Sequence, residues 1–600
     1  MESELKKRAD VAVADTWDLT RIYKSDEKWQ EDFEDWKKFA ERISSYKGKL
    51  SNVETLIDFF RYEEDLSREA DKLGVYSFLK STEDLANTTY QEMKSSFSLA
   101  ANMAAERASF VNPELLALSD DAWEALLADE RLAPWKVKLE RLLRLKKHTL
   151  SQDEERLVAS MGELADVPSK TFRLLNDAET KFPSIKDELG KSQPLTHETF
   201  QLFLQSPSRE VRKNAFDSFY AEYEARQNTF SSLLEGSIRK DVFYAKARGY
   251  ESSLQAAMYN EEIPETVYLN LTNVVRKSLP ALYRYYELRR KLMNLDEIHF
   301  YDVYVPILSD ISVNYSWDDA VKTIVKALAP LGTEYVETFT RGMTTDRWCD
   351  RYENQNKESG AFSCPGYDFS PYILINYKPT LIESVFTLAH EGGHSMHSWY
   401  SAKTQPYRYY DYVIFLAEIA STFNEQLLAR YLFNEATDNK TRAWIVNREL
   451  DSIRATIFRQ TMFAEFERRA HTIAEENKPL SAAVFRKVYR DVLNEYFGPD
   501  FVIDDALELE CLRIPHFYRG FYVYKYATGL SAAISLADRV LGGGEAERDA
   551  YLGFLKAGSS AAPLDILRGA GVDMEKPDAI ETAMKRFETL TNTLEELIAG

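Results

Sequence analysis

The pentapeptide HEGGH at residues 390–394 lies inside a segment whose apolar residues recur at helical period. These apolar positions are Leu381, Ile382, Val385, Phe386, Leu388 and Ala389. They form one wide stripe of a helix and do not alternate as the residues of a strand would. Residues four apart lie on one face of a helix, so His390 and His394 can reach a single Zn²⁺ ion with Glu391 beside them. The pattern predicts a metal-binding helix over about residues 380–400.

Local sequence signals both support and oppose this helix. Thr380 is followed three residues later by Glu383, a spacing typical of a capping box at a helix start. Gly392 and Gly393 oppose the helix, since each glycine in a helix interior costs roughly 1 kcal/mol relative to alanine. We interpret the glycines as positions where the absence of a side chain leaves room for a ligand or for a closely packed backbone.

Two histidines need a third protein ligand to form a catalytic zinc site, which keeps its fourth position for water or substrate. Glu418 lies in the apolar sequence VIFLAEIAS, which is helical by the same period and poorly suited to a solvated carboxylate. We interpret the stretch between Tyr400 and Tyr412 as the connection between the two helices. Measured along the helix axis, His394 lies about 9 Å before Tyr400, and Glu418 lies about 9 Å after Tyr412. An antiparallel helical hairpin therefore brings Glu418 level with the histidines. The alternative is an ordinary glutamate on a solvated helix face.

Two further residues near the motif have alternative interpretations. Glu425 lies two turns beyond Glu418 and is a candidate to accept the free N–H of a ligating imidazole. A surface glutamate in a salt bridge is an equally good interpretation of Glu425. His397 is about 10 Å of helix from His390, too far for three imidazoles of one straight helix to share an ion.

Several segments resemble oligoendopeptidase F, a bacterial branch of the thimet oligopeptidase and neurolysin group of zinc peptidases. The segments are HEGGHSMH at 390–397, FLAEIASTFNE at 415–425, IPHFYRGFYVYKYATG at 514–529, ADTWDL at 14–19, ARGYESSLQAAMYNEEIP at 247–264, SPYILINY at 370–377 and AGSSAAPLDILRGAGVDM at 557–574. The resemblance implies a mainly α, two-lobed metallopeptidase with a deep central channel and one zinc ion per chain. It implies that the substrates are short oligopeptides cleaved at internal bonds.

The resemblance also implies roles for individual residues. His390, His394 and Glu418 match the zinc ligands of the family, and Glu391 matches its general base. His516, Tyr522 and Tyr526 match best the residues that bind the scissile carbonyl as it becomes an oxyanion. Tyr518 and Tyr524 are competing alignments. From the residues alone, the aromatic crowding of this segment is equally typical of core or channel-wall packing.

The length of 600 residues predicts more than one lobe. Helical period dominates the first part of the chain, and the loop-rich stretch at 182–194 is the best boundary. We predict an N-terminal helical lobe over residues 1–194 and a zinc-binding catalytic domain over residues 195–600. Two β-rich stretches, at 298–308 and 367–377, predict a small β-sheet near the zinc helix.

Composition excludes several classes of protein. A formal net charge of −21 argues against nucleic-acid binding, which needs a concentrated basic surface. No segment approaches the roughly 18 continuous apolar residues of a membrane span, and the charged N-terminus lacks an apolar signal core, so we expect a cytoplasmic protein without membrane partners. Three widely spaced cysteines suggest reduced thiols.

The sequence therefore favours a zinc metalloendopeptidase that hydrolyses oligopeptides with Glu391 as general base. The alternatives are a zinc carboxypeptidase and a catalytically silent peptide-binding protein. Nothing in the sequence indicates the oligomeric state or the cleavage-site preference.

Overall fold

The computed structural model describes residues 5–308 and 313–599. The first four residues of the charged N-terminal segment lie outside this description, as do residues 309–312 and Gly600. The fold is mainly α, which confirms the predicted fold class, and its β-strands are few and short. Among the described residues, no helix combines the length and the apolar character that crossing a membrane requires.

The α-helices and strands follow one another in chain order. The helices are α1 (Asp26–Glu41), α2 (Val53–Glu83), α3 (Thr88–Ala108), α4 (Val111–Leu116), α5 (Asp120–Ala128), α6 (Lys136–Leu145), α7 (Gln152–Ser160), α8 (Gly162–Ala165), α9 (Val167–Arg173), α10 (His197–Leu204), α11 (Arg209–Ala225), α12 (Gln227–Ala247), α13 (Ser253–Asn260), α14 (Glu265–Lys277), α15 (Leu279–Leu292), α16 (Trp317–Ala327), α17 (Thr333–Met343), α18 (Ile382–Thr404), α19 (Tyr407–Tyr410), α20 (Ile414–Glu435), α21 (Asn439–Ile453), α22 (Arg459–Glu475), α23 (Ala482–Phe497), α24 (Tyr524–Gly543), α25 (Glu545–Lys556), α26 (Pro563–Gly569) and α27 (Asp578–Ala599). The strands are β1 (Ile185–Lys186), β2 (Ser192–Gln193), β3 (Ile298–His299), β4 (Cys349–Asp350), β5 (Ala361–Cys364), β6 (Tyr372–Ile375) and β7 (Phe501–Val502).

The chain divides into two compact units, each assembled from three segments. The first unit contains residues 1–149, 312–432 and 536–572, and the second contains residues 150–311, 433–535 and 573–600. The first junction therefore lies ahead of the loop-rich stretch at 182–194. The predicted division of the chain at residue 194 stays a prediction.

Helix α1 shows how the first unit builds its core. The Ser25 side chain accepts the N–H of Lys28 at the helix start, and acidic residues in the first turn suit the positive end of the helix dipole. One face of the helix is buried at helical period by Trp29, Phe33, Trp36 and Ala40. The indole N–H groups of Trp29 and Trp36 donate to backbone carbonyls of α2 at 2.9 Å, so these buried polar groups are satisfied.

A three-stranded sheet in the first unit has the order β4-β6-β5. Strand β6 is parallel to β4 and antiparallel to β5, and all four of its residues are buried. The hydroxyl groups of Ser363 in β5 and Ser395 in α18 lie 2.8 Å apart, which joins the sheet to α18. The predicted small sheet beside this helix is thus present, and the strand predicted at 367–377 is confirmed over residues 372–375.

The other β-rich stretch, at 298–308, does not join this sheet. Only Ile298 and His299 are in a strand, and they pair with β7 in the second unit. The Asp302 side chain accepts the N–H of His299 at 3.1 Å and stabilises a 3₁₀ turn over residues 300–302. The β-rich stretch at 298–308 was therefore a wrong indication of an extended strand, because a local side-chain hydrogen bond turns the backbone.

Candidate metal centre

Helix α18 carries the HEGGH motif and runs from Ile382 to Thr404, close to the predicted range. Its start differs from the predicted capping box, since Leu381 is the N-cap residue and makes no side-chain capping bond. Instead, the Ser384 hydroxyl accepts the N–H of Lys378 at 3.1 Å. The capping box of Thr380 and Glu383 was a wrong prediction, because the N-cap residue is Leu381, one residue further along the chain.

The two glycines of the motif let other elements approach α18 closely. A Cβ atom on Gly393 would lie 2.5 Å from the carbonyl oxygen of Ala420 and 2.7 Å from Cα of Ser421 in α20. A Cβ atom on Gly392 would lie 2.4 Å from the ring of Phe339 in α17. The glycines therefore give room to a packed backbone and an aromatic ring, as one of the two predicted interpretations requires.

The close approach of α18 and α20 brings the three predicted ligand side chains together. Oε2 of Glu418 lies 3.4 Å from Nε2 of His390 and 3.5 Å from Nε2 of His394. One possible ligand atom from each of the three residues falls within 4.8 Å of the others. The hairpin geometry expected from helix rise is therefore present.

These distances suit a metal ion in the space between the three atoms. Nitrogen and oxygen ligands lie about 2.0–2.2 Å from Zn²⁺, so two ligands of a tetrahedral ion are roughly 3.3–3.6 Å apart. Both separations between Glu418 and the imidazoles fall in that range. Two imidazoles and one carboxylate are also a common protein donor set of catalytic zinc. The residues present therefore fit a zinc ion.

Further contacts orient the ligand side chains. Oε1 of Glu425 lies 2.8 Å from Nδ1 of His390, so the carboxylate accepts the Nδ1–H and leaves Nε2 directed at Glu418. The Ser421 hydroxyl donates to Oε2 of Glu418 at 3.0 Å. The Asn424 amide donates to the carbonyl of Ala389 at 3.2 Å and joins α20 to α18 immediately before the motif. Ser421 and Asn424 were not predicted, although both lie within one or two turns of Glu418.

The electrostatics of the three carboxylates differ. Burial alone would raise the pKa of Glu418, but the imidazoles of His394 and His390 lower it to about 2. Burial raises the pKa of Glu391, which is only 7% exposed, above its usual value. Burial opposes the charge of His390, yet the hydrogen bond with Glu425 and the neighbouring carboxylates raise its pKa to about 9. Glu391 is therefore the carboxyl group of this site that is best suited to carry a proton.

His397 lies outside the group of ligand side chains, in agreement with the sequence prediction. Its ring stacks on Tyr412 with centroids 3.7 Å apart and also packs against Phe554. Burial lowers the pKa of His397 to about 3, so the ring is neutral. Among the described residues, neither ring nitrogen has a hydrogen-bond partner.

The predicted oxyanion-binding residues form a cluster of their own in the second unit. The rings of His516 and Tyr522 are nearly parallel with centroids 5.9 Å apart, and the Tyr526 hydroxyl lies 3.4 Å from Nε2 of His516. All three side chains are partly exposed. Burial and the nearby Arg519 guanidinium lower the pKa of His516, which keeps the ring neutral at neutral pH.

The competing tyrosines have different surroundings. Tyr518 is buried and stacks on Phe172 with ring centroids 4.2 Å apart. Tyr524 is 1% exposed and packs near Tyr268. The geometry therefore favours Tyr522 and Tyr526 over Tyr518 and Tyr524 as groups that can meet a bound molecule.

Two histidines four residues apart on one helix, together with a glutamate from a second helix, are typical of one class of metallopeptidases. The sequence matches the model of Peptidase family M3 over residues 202–586 and the model of Oligopeptidase F over residues 114–182. The chain belongs to peptidase family M3, and its predicted resemblance to oligoendopeptidase F is confirmed.

Individual relatives match over almost the whole chain. The oligopeptidase PepF of Bacillus subtilis is 43% identical over 99% of this chain and 89% of its own. The crystal structure of oligoendopeptidase-F from Enterococcus faecium has 34% identity and a TM-score of 0.75, and the match covers 96% of this chain and 99% of that one. A crystal structure from Chlamydophila abortus has 38% identity and a TM-score of 0.93, covering 99% of this chain and 100% of that one.

Proposed function

We propose that this metallopeptidase is a zinc-dependent endopeptidase that hydrolyses internal bonds of short peptides. The observation that carries the proposal is the convergence of His390, His394 and Glu418 from two helices, with Glu391 on the same helix as the histidines. Family membership and relatives named as oligoendopeptidases support the peptide substrate class.

His390, His394 and Glu418 would hold the ion through Nε2, Nε2 and a carboxylate oxygen. A bound Zn²⁺ acts as a Lewis acid toward water and toward a peptide carbonyl, which makes a nucleophile available near neutral pH. Glu425 fixes the tautomer of His390 by accepting its Nδ1–H. Ser421 holds the Glu418 carboxylate by donating to Oε2.

Glu391 would act as the general base and then as the general acid. Its carboxylate accepts a proton from the attacking water and donates that proton to the nitrogen of the leaving amine. A carboxylate whose pKa is raised by burial is a stronger base than a solvated one, so it accepts the proton of the attacking water more readily. The low pKa of Glu418 makes that residue unsuitable for the same task.

His516, Tyr522 and Tyr526 would bind the oxygen of the scissile carbonyl as negative charge develops on it. A neutral imidazole offers one N–H donor, and each tyrosine offers one O–H donor. Donors of fixed position stabilise such a charge without reorganising during the reaction. The partial exposure of these three side chains supports this role over core packing.

Cys349, Cys364 and Cys511 are buried and have free thiols. Free thiols are typical of proteins in a reducing compartment. We propose the cytoplasm as that compartment.

The experiment uses an internally quenched peptide whose two ends are both blocked. Purified protein is stripped with a chelator, assayed, and assayed again after addition of one equivalent of Zn²⁺. We expect loss of cleavage on chelation, recovery on addition, and internal cleavage products by mass spectrometry. Cleavage only of peptides with a free C-terminus would support the carboxypeptidase alternative, and zinc binding without cleavage would support the silent binding protein.

A further inference from the structure

The segment that carries His516 and Tyr522 contains a backbone conformation that needs support. Phe521 has a φ angle of +55°, in the left-handed region that residues with side chains rarely adopt. Such a residue is found where surrounding contacts determine the backbone, often beside a functional group. The next residue is Tyr522, so the conformation of Phe521 sets the direction in which the Tyr522 side chain leaves the backbone.

A buried carboxyl group supports this conformation from α22. Oε1 of Glu467 accepts the N–H of Phe521 at 2.7 Å, and the residue is 2% exposed. Its other oxygen, Oε2, is buried and has no hydrogen-bond partner among the described residues. Burial raises the pKa of Glu467 to about 8. A buried carboxyl group with an unsatisfied oxygen destabilises a fold relative to an apolar side chain of similar size, so its location requires a reason beyond packing.

Two neighbours complete the support behind the same turn. Nε2 of His471 lies 3.2 Å from Oδ2 of Asp241, and its Nδ1 lies 2.8 Å from the carbonyl oxygen of Glu467. A Cβ atom on Gly520 would lie 2.6 Å from Oδ2 of Asp241, so a side chain at this position would displace either the turn or the Asp241 carboxylate. The Phe521 ring packs on the His471 ring with centroids 4.5 Å apart.

We infer that Glu467 is a positioning residue that holds the Gly520–Phe521 backbone and thereby fixes the direction of the Tyr522 side chain. Asp241 packs against Gly520, and His471 packs against the ring of Phe521, on the side of the backbone where Glu467 binds. The inference rests on the proposed function, in which Tyr522 and His516 stabilise the oxyanion. Glu467 acts through the Phe521 N–H and does not touch the substrate.

Two substitutions at Glu467 test whether a hydrogen-bond acceptor is required. Glu467→Gln keeps an oxygen that can accept the Phe521 N–H, and Glu467→Leu keeps the volume without an acceptor. We expect kcat of the glutamine variant to stay within about threefold of the unsubstituted protein, and kcat of the leucine variant to fall by about tenfold or more with KM changed less than threefold. Equal kcat in the leucine variant and the unsubstituted protein would overturn the inference.

A matched control separates positioning from a general loss of stability. Glu449 in α21 is a buried glutamate of the same unit, and it forms an ion pair with Arg586. Glu449→Leu should lower the melting temperature while kcat of the folded protein is unchanged. If Glu449→Leu lowers kcat as much as Glu467→Leu, the effect belongs to stability and the inference is wrong.

A double-mutant cycle with Tyr522→Phe distinguishes the inference from the proposed function. If Glu467 acts through Tyr522, the two substitutions together should lower kcat much less than the product of their separate effects. Independent effects that multiply would overturn the positioning role while leaving the oxyanion role of Tyr522 intact. Unchanged kcat in both Tyr522→Phe and His516→Gln would overturn the oxyanion role, and the inference with it.

A second variant keeps the test decisive if Glu467→Leu does not fold. Gly520→Ala leaves Glu467 in place and puts a methyl group against the Asp241 carboxylate, so either the turn or that side chain must move. We expect the same loss of kcat with little change in KM. A crystal structure of Gly520→Ala shows whether the turn has moved, and a displaced turn with unchanged kcat would contradict the claim that this backbone position orients Tyr522.

Discussion

Gly393 in α18 lies directly against the backbone of Ala420 in α20, where a Cβ atom would come within 2.5 Å of the carbonyl oxygen. This contact is one residue before His394 and two residues after Glu418. The distance between the two helices at this point sets the distance between the imidazoles and the carboxylate. The metal centre therefore depends on a residue that has no side chain.

Gly393→Ala should separate α18 from α20 because a backbone carbonyl cannot rotate away as a side chain can. We expect a loss of about 1–3 kcal/mol in the free energy of unfolding and weaker metal binding. Urea titrations and competition with a chelator measure the two effects. Gly553→Ala is the control, since its Cβ would meet nothing within 4 Å and α25 should gain up to about 1 kcal/mol from the change. Wild-type metal affinity in Gly393→Ala would contradict the close packing of the helices.

Glu425→Gln should weaken metal binding without removing it. The carboxylate that accepts the Nδ1–H of His390 makes that imidazole a better ligand, and loss of such a partner typically costs about 10–100-fold in affinity. Chelator competition at fixed pH measures the change. Glu435→Gln, at the exposed end of the same helix, should leave the affinity unchanged. Equal affinities in the two variants would mean that Glu425 does not support the ligand.

Glu391→Gln and His390→Ala should separate proton transfer from metal binding. Glu391→Gln should retain one metal ion per chain while kcat falls by roughly 10²–10⁴-fold, because an amide cannot accept the proton of water. His390→Ala should lose both the ion and the activity. Metal analysis and initial rates on the doubly blocked peptide give both quantities. An active Glu391→Gln protein would exclude Glu391 as the general base.

The ion pairs of His299 predict a pH dependence of stability in the second unit. Burial alone would lower the pKa of His299, but hydrogen bonds with Asp504 and Glu297, each 2.9 Å long, raise it above its usual value. Because the folded pKa exceeds the unfolded value of about 6.5, the stabilisation is fully present below that pH and is lost as pH rises through the folded pKa.

Asp504→Asn should therefore destabilise the protein more at pH 5.5 than at pH 9. We expect a difference on the order of 1 kcal/mol in the free energy of unfolding at the lower pH. Urea titrations of both proteins at the two pH values measure this difference, and shared titrations of other groups cancel in the comparison. A penalty that is the same at both pH values would show that His299 does not gain a proton on folding.

The pairing of Glu418 with the two histidines could be predicted from the sequence because it depends on regular geometry. The rise per residue of a helix is constant. His394 and Glu418 are equally far from the connection between the two helices, so an antiparallel hairpin places them side by side. The apolar period identified both helices for the same reason. Its spacing of two turns from Glu418 made Glu425 a candidate partner of an imidazole, with a surface salt bridge as an equal alternative, and Glu425 contacts His390.

Other features have no signal in the local sequence. The start of α18 at Ile382, after Leu381 as the N-cap residue, is not indicated by the capping-box spacing of Thr380 and Glu383. The partner of Gly393 lies in another helix, and Glu467 supports Phe521 across 54 residues of chain. Contacts between distant segments are set by packing of the whole unit, and a single sequence does not show them.

A crystal structure of the zinc-loaded protein, with anomalous differences measured at the zinc absorption edge, tests the central claim most directly. The account predicts one strong peak about 2.0–2.2 Å from Nε2 of His390, Nε2 of His394 and a carboxylate oxygen of Glu418. A peak elsewhere, or an ion bound by the histidines while Glu418 points away, would contradict it.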